Sequence, residues 1–186
     1  NTTGSNNTAF GQYTLVSNYS NSNNTAFGKS VLVGAGASNN TGVGAYALAC
    51  TTAGGNNTAL GFCALRSNTT GIRNTAVGVY AGRLLTTGQE NTVLGAYALC
   101  TATTARGNTA IGICALLNNT ACWNTAIGDG ALRANTTGIN NTAVGVSSLL
   151  CNTIGVSNTA VGISALCANT TGGCNVAVGT SALRNN

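Results

Sequence analysis

The chain has no proline, no methionine and no histidine, and of its 186 residues only seven are basic and two acidic. Each absence excludes something. Without histidine, the usual general acid–base group and a leading zinc ligand are missing. The two carboxylates, Glu90 and Asp129, fall in different repeats, so no carboxylate pair is available for acid–base work. No enzyme is expected, and no metal or other cofactor. Gly34-Ala35-Gly36 lacks the lysine and following helix of a phosphate loop and reads as a turn. No run of about 18 apolar residues occurs, so membrane insertion is not expected.

The cations are Lys29, Arg66, Arg73, Arg83, Arg106, Arg133 and Arg184, dispersed along the chain. Nucleic-acid binding draws on a basic cluster, so the net charge of +5 reads as a solvated surface, not a nucleic-acid site. Disorder is also disfavoured. Disordered chains are poor in aliphatics and rich in charge, whereas 44% of this chain is hydrophobic and sits at fixed phases. The chain begins at Asn1, not methionine, and shows no signal peptide, so a mature or internal piece is expected.

What is present is a repeat. A pentapeptide of the form Asn57-Thr58-Ala59-Leu60-Gly61 recurs eleven times, beginning at Asn7, Asn24, Asn40, Asn57, Asn74, Asn91, Asn108, Asn124, Asn141, Asn158 and Asn175. The step is 17 residues, except for 16 after Asn24 and after Asn108. A short fixed period over the whole chain is the signature of a solenoid. The expected fold is all-β: one parallel β-solenoid, or β-roll, of eleven 16–17-residue coils over residues 1–186.

Counting from the Asn, position 2 is Thr in ten coils, Val176 being the exception. Position 3 is Ala in nine, with Gly42 and Val93 the exceptions, and position 4 is always apolar. Position 5 is always Gly: Gly11, Gly28, Gly44, Gly61, Gly78, Gly95, Gly112, Gly128, Gly145, Gly162 and Gly179. Position 9 is Leu in ten coils; Gly82 breaks the run, with Leu84 and Leu85 nearby to compensate. Positions 12 to 15 often read Asn-Thr-Thr-Gly, as at Asn68 to Gly71.

Positions 1 to 5 are predicted to form a short strand. Strand side chains alternate, which puts 2 and 4 on one face and 1, 3 and 5 on the other. The large aliphatic at position 4 is expected to point inward and meet Leu at position 9. The small Ala and Gly face is then expected to point outward and to pack against a second protomer; the rival reading leaves it exposed or covered by the other limb. Gly at position 5 turns the chain where a Cβ would obstruct or φ is positive. Asn-Thr-Thr-Gly makes the return turn, and the two short coils lose their residue there. The limb from position 6 to 10 reads as either a strand or a single helical turn. The Asn at position 1 in every coil is expected to stack as a ladder of side-chain amides.

Asn1 and Asn186 fall at the same phase, position 12, so the coil ends are expected to be uncapped. Open edges template further pairing, which points to a longer repeat chain or to end-to-end stacking of copies.

The pattern Asn-Thr-Ala-(Ile/Val/Leu)-Gly-x-x-Ala-Leu, followed by Asn-Thr-Thr-Gly, resembles repeats of phage and viral tail-fibre-like proteins and of bacterial surface proteins. It is similar to the Asn-Ser-x-Ala-Ile-Gly repeat in the β-roll heads of trimeric autotransporter adhesins, though with a longer period. The resemblance covers nearly the whole chain. It implies a parallel β-roll, often trimeric, in an extracellular fibre or adhesin on a virion or cell surface.

Eight cysteines depart from those heads. Bridges need Cα atoms within about 7 Å, so only the same or adjacent coils qualify. Cys50–Cys63, Cys100–Cys114 and Cys151–Cys167 satisfy this, leaving Cys122 and Cys174 for interchain pairing. Cys114–Cys122 with Cys167–Cys174 is the alternative, and eight unpaired thiols a third. Three functions remain. The first is a structural fibre or filament that associates with itself. The second is an adhesin repeat that binds a surface receptor or glycan, with Tyr80 to Arg83 and Cys122-Trp123 as irregular patches. An ice-binding solenoid ranks last, because Thr at position 2 shares its face with a position 4 expected to be buried.

Overall fold

Gly at one end and Asn at the other leave room for only three strand residues per coil. In a computed structural model, which describes residues 3–34 and 36–186, these are the strands. They are β1 (Thr8–Phe10), β2 (Thr25–Phe27), β3 (Thr41–Val43), β4 (Thr58–Leu60), β5 (Thr75–Val77) and β6 (Thr92–Leu94). Then follow β7 (Thr109–Ile111), β8 (Thr125–Ile127), β9 (Thr142–Val144), β10 (Thr159–Val161) and β11 (Val176–Val178). They form one parallel sheet in chain order. The protein is an all-β parallel solenoid. Register is residue for residue, as in Thr92↔Thr109, Val93↔Ala110 and Leu94↔Ile111. Both 16-residue coils keep it, pairing Thr25 with Thr41 and Thr109 with Thr125. The phase read from Asn1 and the turn residue Ala35 lie outside the described residues.

The alternation along each strand is as predicted, but its sense is reversed. Position 3 is buried in every strand from β2 to β11, while positions 2 and 4 lie toward solvent. The core is Ala at position 3 against Ala and Leu at positions 8 and 9, as in Ala59, Ala64 and Leu65. The reason is the width of the coil. One Leu and two Ala fill the interior of a three-residue limb, and a second large aliphatic would overpack it. The small face is therefore the core, not a surface for a second protomer.

The exceptions to the repeat compensate one another. Gly42 leaves room at position 3, and Val31 replaces the usual Ala at position 8 with its Cγ1 where a Gly42 side chain would lie. Gly82 leaves a gap at position 9; Leu85 is wholly buried beside it, whereas Leu84 is exposed.

The second limb is neither strand nor helix. It is a run of overlapping turns, with Ala64, Arg66 and Asn68 donating to the carbonyls of Gly61, Cys63 and Leu65 at 3.3, 3.3 and 3.1 Å. The third residue of the first two turns has positive φ, 56° at Cys63 and 48° at Leu65, as in a type II turn. The intervening amides bond between coils instead: Cys63 to Ala45, Leu65 to Ala81 and Ser67 to Arg83, at 2.9, 3.0 and 3.0 Å. A helix is excluded by the left-handed residues. Each costs roughly 1–2 kcal/mol in isolation, offset here by Leu burial and the inter-coil bonds.

Candidate functional site

The internal scaffold is built from asparagine. At each of the ten steps, the Oδ1 of one position 1 Asn accepts from the backbone N–H of the next, from Asn24 on Asn7 to Asn175 on Asn158, at 2.9–3.0 Å. Side-chain amides also bond from coil to coil, as Asn74 Nδ2 to Asn57 Oδ1 at 3.2 Å and Asn91 Nδ2 to Asn74 Oδ1 at 3.0 Å. The other amide proton closes the same coil, as from Asn74 to the Gly88 carbonyl at 2.8 Å. Each Asn thus shuts its own coil and seats the next.

A second Asn column, which the repeat reading assigned only to a turn, runs at position 12. Asn135 Nδ2 donates to Asn119 Oδ1 at 2.6 Å, Asn152 to Asn135 at 2.8 Å and Asn169 to Asn152 at 2.9 Å. The same amides close the local turn, as from Asn152 to the Gly155 carbonyl at 3.0 Å. The signal in the sequence is the recurrence of Asn at this phase in Asn18, Asn68, Asn119, Asn135, Asn152 and Asn169. A third column went unread: the residue before each position 1 Asn has positive φ, from 56° at Arg73 to 65° at Gly107. Five are Asn, which tolerates that conformation, and their Asn-Asn doublets are the cue.

The position 5 glycines turn the corner with φ of 115–141°. A Cβ on Gly95 would also strike the backbone carbonyl of Gly112 in the next coil. Conformation and close approach both require glycine.

Outside this scaffold lie three surface features. The first is the sheet itself, with Thr at position 2 and an aliphatic or Phe at position 4 facing solvent on every coil but the last, where Val176 replaces Thr. At one end Phe10 and Phe27 stack with centroids 4.7 Å apart. The second is an aromatic ridge, Tyr46, Phe62, Tyr80 and Tyr97, with successive centroids 6.2, 5.3 and 5.2 Å apart. The guanidiniums of Arg66 and Arg83 lie over Tyr46 and Tyr80, at 5.5 and 5.1 Å. Of the irregular segment Tyr80 to Arg83, Tyr80 and Arg83 belong to the ridge, while Ala81 and Gly82 are buried. The third is an ion-pair chain: Glu90 bridges Arg73 at 3.0 Å and Arg106 at 2.9 Å. Arg106 in turn lies over the Trp123 ring at 5.7 Å. Hydrogen bonds from Arg106, then Arg73, hold the Glu90 carboxyl below its ordinary value.

All eight cysteines are free, and no pair stands near disulfide distance. The expected pairings fail on phase. Cys50 and Cys63 occupy positions 11 and 7, Cys100 and Cys114 positions 10 and 7, Cys151 and Cys167 positions 11 and 10. Stacking superposes only like positions, so the offset thiols stop short of bonding distance, although Cys151 lies close enough to Cys167, and Cys114 to Cys100, to interact electrostatically. Burial pushes the Cys100 and Cys167 thiols up. Comparison with protein-family models, curated proteins and solved structures finds no match to this chain.

Proposed function

We propose that this solenoid is a rigid structural shaft, a segment of a fibre on a virion, on a cell surface or in the extracellular space. One observation carries the reading: the stack of strands runs in one register through both short coils. A column of buried Asn amides runs beside it over the same length. Every coil is tied to its neighbours by backbone and side-chain bonds, so bending the rod strains many bonds at once. At about 4.8 Å per coil, ten steps give a rod of about 48 Å. The resemblance to tail-fibre-like and adhesin repeats supports the same reading, in which copies would associate along the axis through the edges of the terminal strands. Electron microscopy of the purified chain tests it. Straight rods of this length, or filaments in multiples of it, are expected; globular or flexible particles overturn it.

A second reading, a receptor- or glycan-binding repeat, is favoured by the aromatic ridge. The exposed rings of Phe62 and Tyr97 offer stacking faces to a sugar, and the guanidiniums over half-buried Tyr46 and Tyr80 offer hydrogen-bond donors. Binding on a glycan array that is lost with Tyr97→Ala supports it, and no binding to any surface glycan removes it.

A further inference from the structure

The solenoid carries two columns of threonine hydroxyls in different states, one on the return turn and one on the sheet. Hydroxyls at position 13 are engaged internally: Thr69, Thr86, Thr136 and Thr153 donate to the carbonyl of the next coil at 3.0–3.1 Å. Among the described residues, the position 2 hydroxyls, from Thr8 to Thr159, take no hydrogen bond from the chain. They stand on the outward face beside the position 4 aliphatics. From β3 to β10 every coil presents the same pair, one Thr and one Val, Leu or Ile.

From this geometry we infer that the outward Thr and aliphatic face binds the surface of crystalline ice. Neighbouring strands stand about 4.7–4.9 Å apart and residues two apart on a strand about 6.6 Å. Hydroxyls and methyls therefore repeat on a regular two-dimensional net whose strand-to-strand spacing is close to an oxygen repeat in hexagonal ice. The net does not slip, because both short coils absorb their deletion away from the sheet. Neither column carries a charge; all nine charged side chains lie at other phases. A neutral face suits a neutral lattice, whereas an ammonium or carboxylate would hold its own hydration shell. Methyl groups favour caged water, and the hydroxyls anchor that water to the protein.

A second copy of the chain fits this face less well. The face measures about 48 by 10 Å, so a face-to-face pair would bury about 1,000 Å² in total, at the floor for a specific interface. It would also enclose two columns of hydroxyls with no partner on their own chain. Dry burial of such groups is unfavourable.

The test uses the full chain and ice, with no other ligand. Wild-type protein is expected to form no pair through the sheet face, to facet growing ice crystals and to open a gap between melting and freezing points. Thr75→Lys and Thr109→Lys, each checked for unchanged circular dichroism and melting, are expected to shrink that gap at least fivefold. Thr104→Lys, on an exposed turn away from the face, is expected to leave it unchanged. Unshaped, disc-like crystals with folded wild-type protein overturn the inference. So does equal loss in all three variants, or a dimer that Thr109→Lys dissociates, which assigns the face to a second copy. The shaft reading stands or falls separately, on the shape of the particles.

Discussion

Asn68 and Leu85 occupy position 12 of consecutive coils, and the buried Oδ1 of Asn68 has no hydrogen-bond partner. In the coils where this column is intact, that oxygen accepts from the next Asn, as Asn135 does from Asn152. Leu85 has no amide to give. It is there because Gly82 lacks the Leu that fills position 9 elsewhere, and Leu85 occupies the vacancy. One apolar side chain has moved three residues along the coil, and an orphaned acceptor is the cost.

This coupling predicts a non-additive pair. Leu85→Asn alone supplies the amide but opens a cavity beside Gly82, with an expected loss of about 2–5 kcal/mol. Gly82→Leu alone overpacks against Leu85 and is expected to cost about 1–3 kcal/mol. Together they restore the pattern of the other coils and recover most of the loss. Urea midpoints of the four proteins in a double-mutant cycle measure the coupling. Additive losses refute the account.

The periodicity and the all-β class were legible because every coil repeats them. The inward face was not. Hydrophobic size pointed to Leu60, Val77 and their equivalents as core, yet these positions face solvent. The better signal was constraint. Positions 1 and 3 share a face, and their occupants vary least in size where variation would be punished. Even the exception Gly42 lies beside an altered partner, Val31. The turns of the second limb escaped because Leu65 and Leu99, at φ of 48° and 47°, are residues that rarely adopt left-handed backbone. Only Gly82 and Gly130, in the same two left-handed columns, hinted at it.

The face assignment yields its own test. Ala110 is fully buried between outward neighbours Thr109 and Ile111. Ala110→Leu is expected to destabilise by about 1–3 kcal/mol through overpacking. Ile111→Thr, outside, is expected to stay within about 0.5 kcal/mol. Thermal melts of the two variants decide it, and the reverse order would restore the inward position 4.

The amide ladder is expected to be the most sensitive element. Asn91 Oδ1 accepts from the backbone N–H of Asn108 at 3.0 Å and from its side chain at 3.2 Å, while Asn91 Nδ2 donates to Asn74 Oδ1 and the Ala105 carbonyl. Asn91→Leu strips partners from several buried groups, each worth about 1–3 kcal/mol when left unsatisfied. A loss of more than about 3 kcal/mol is expected, with amide hydrogen exchange accelerated in the neighbouring coils first. Uniform exchange along the chain would show that the ladder does not hold coils individually.

Glu90 gives a pH signature. Its pKa is lowered from the ordinary 4.5 by Arg106 and Arg73. A depressed carboxyl contributes stability that is present above the unfolded value and lost as pH falls through the folded one. The bridge should therefore hold at neutral pH and release only below 4.5. Carboxyl NMR is expected to place the Glu90 midpoint below 4.5, and Arg106→Gln to raise it. Because the bridge is open to water, melting temperature at neutral pH should hardly respond.

Thiol chemistry separates the cysteines by place. The thiolate is the reactive form, so access and pKa act together. Cys50, Cys151 and Cys174 are exposed, whereas Cys63 and Cys100 are buried. Burial raises the Cys100 thiol further, despite the nearby Arg83. Alkylation of the folded chain without reductant, followed by mass spectrometry, is expected to label Cys50, Cys151 and Cys174 first and Cys100 among the last. Denaturant should bring the total to eight. Fewer than eight, restored by reductant, would refute the free-thiol assignment, and the neighbours Cys151 and Cys167 would be the first pair to examine.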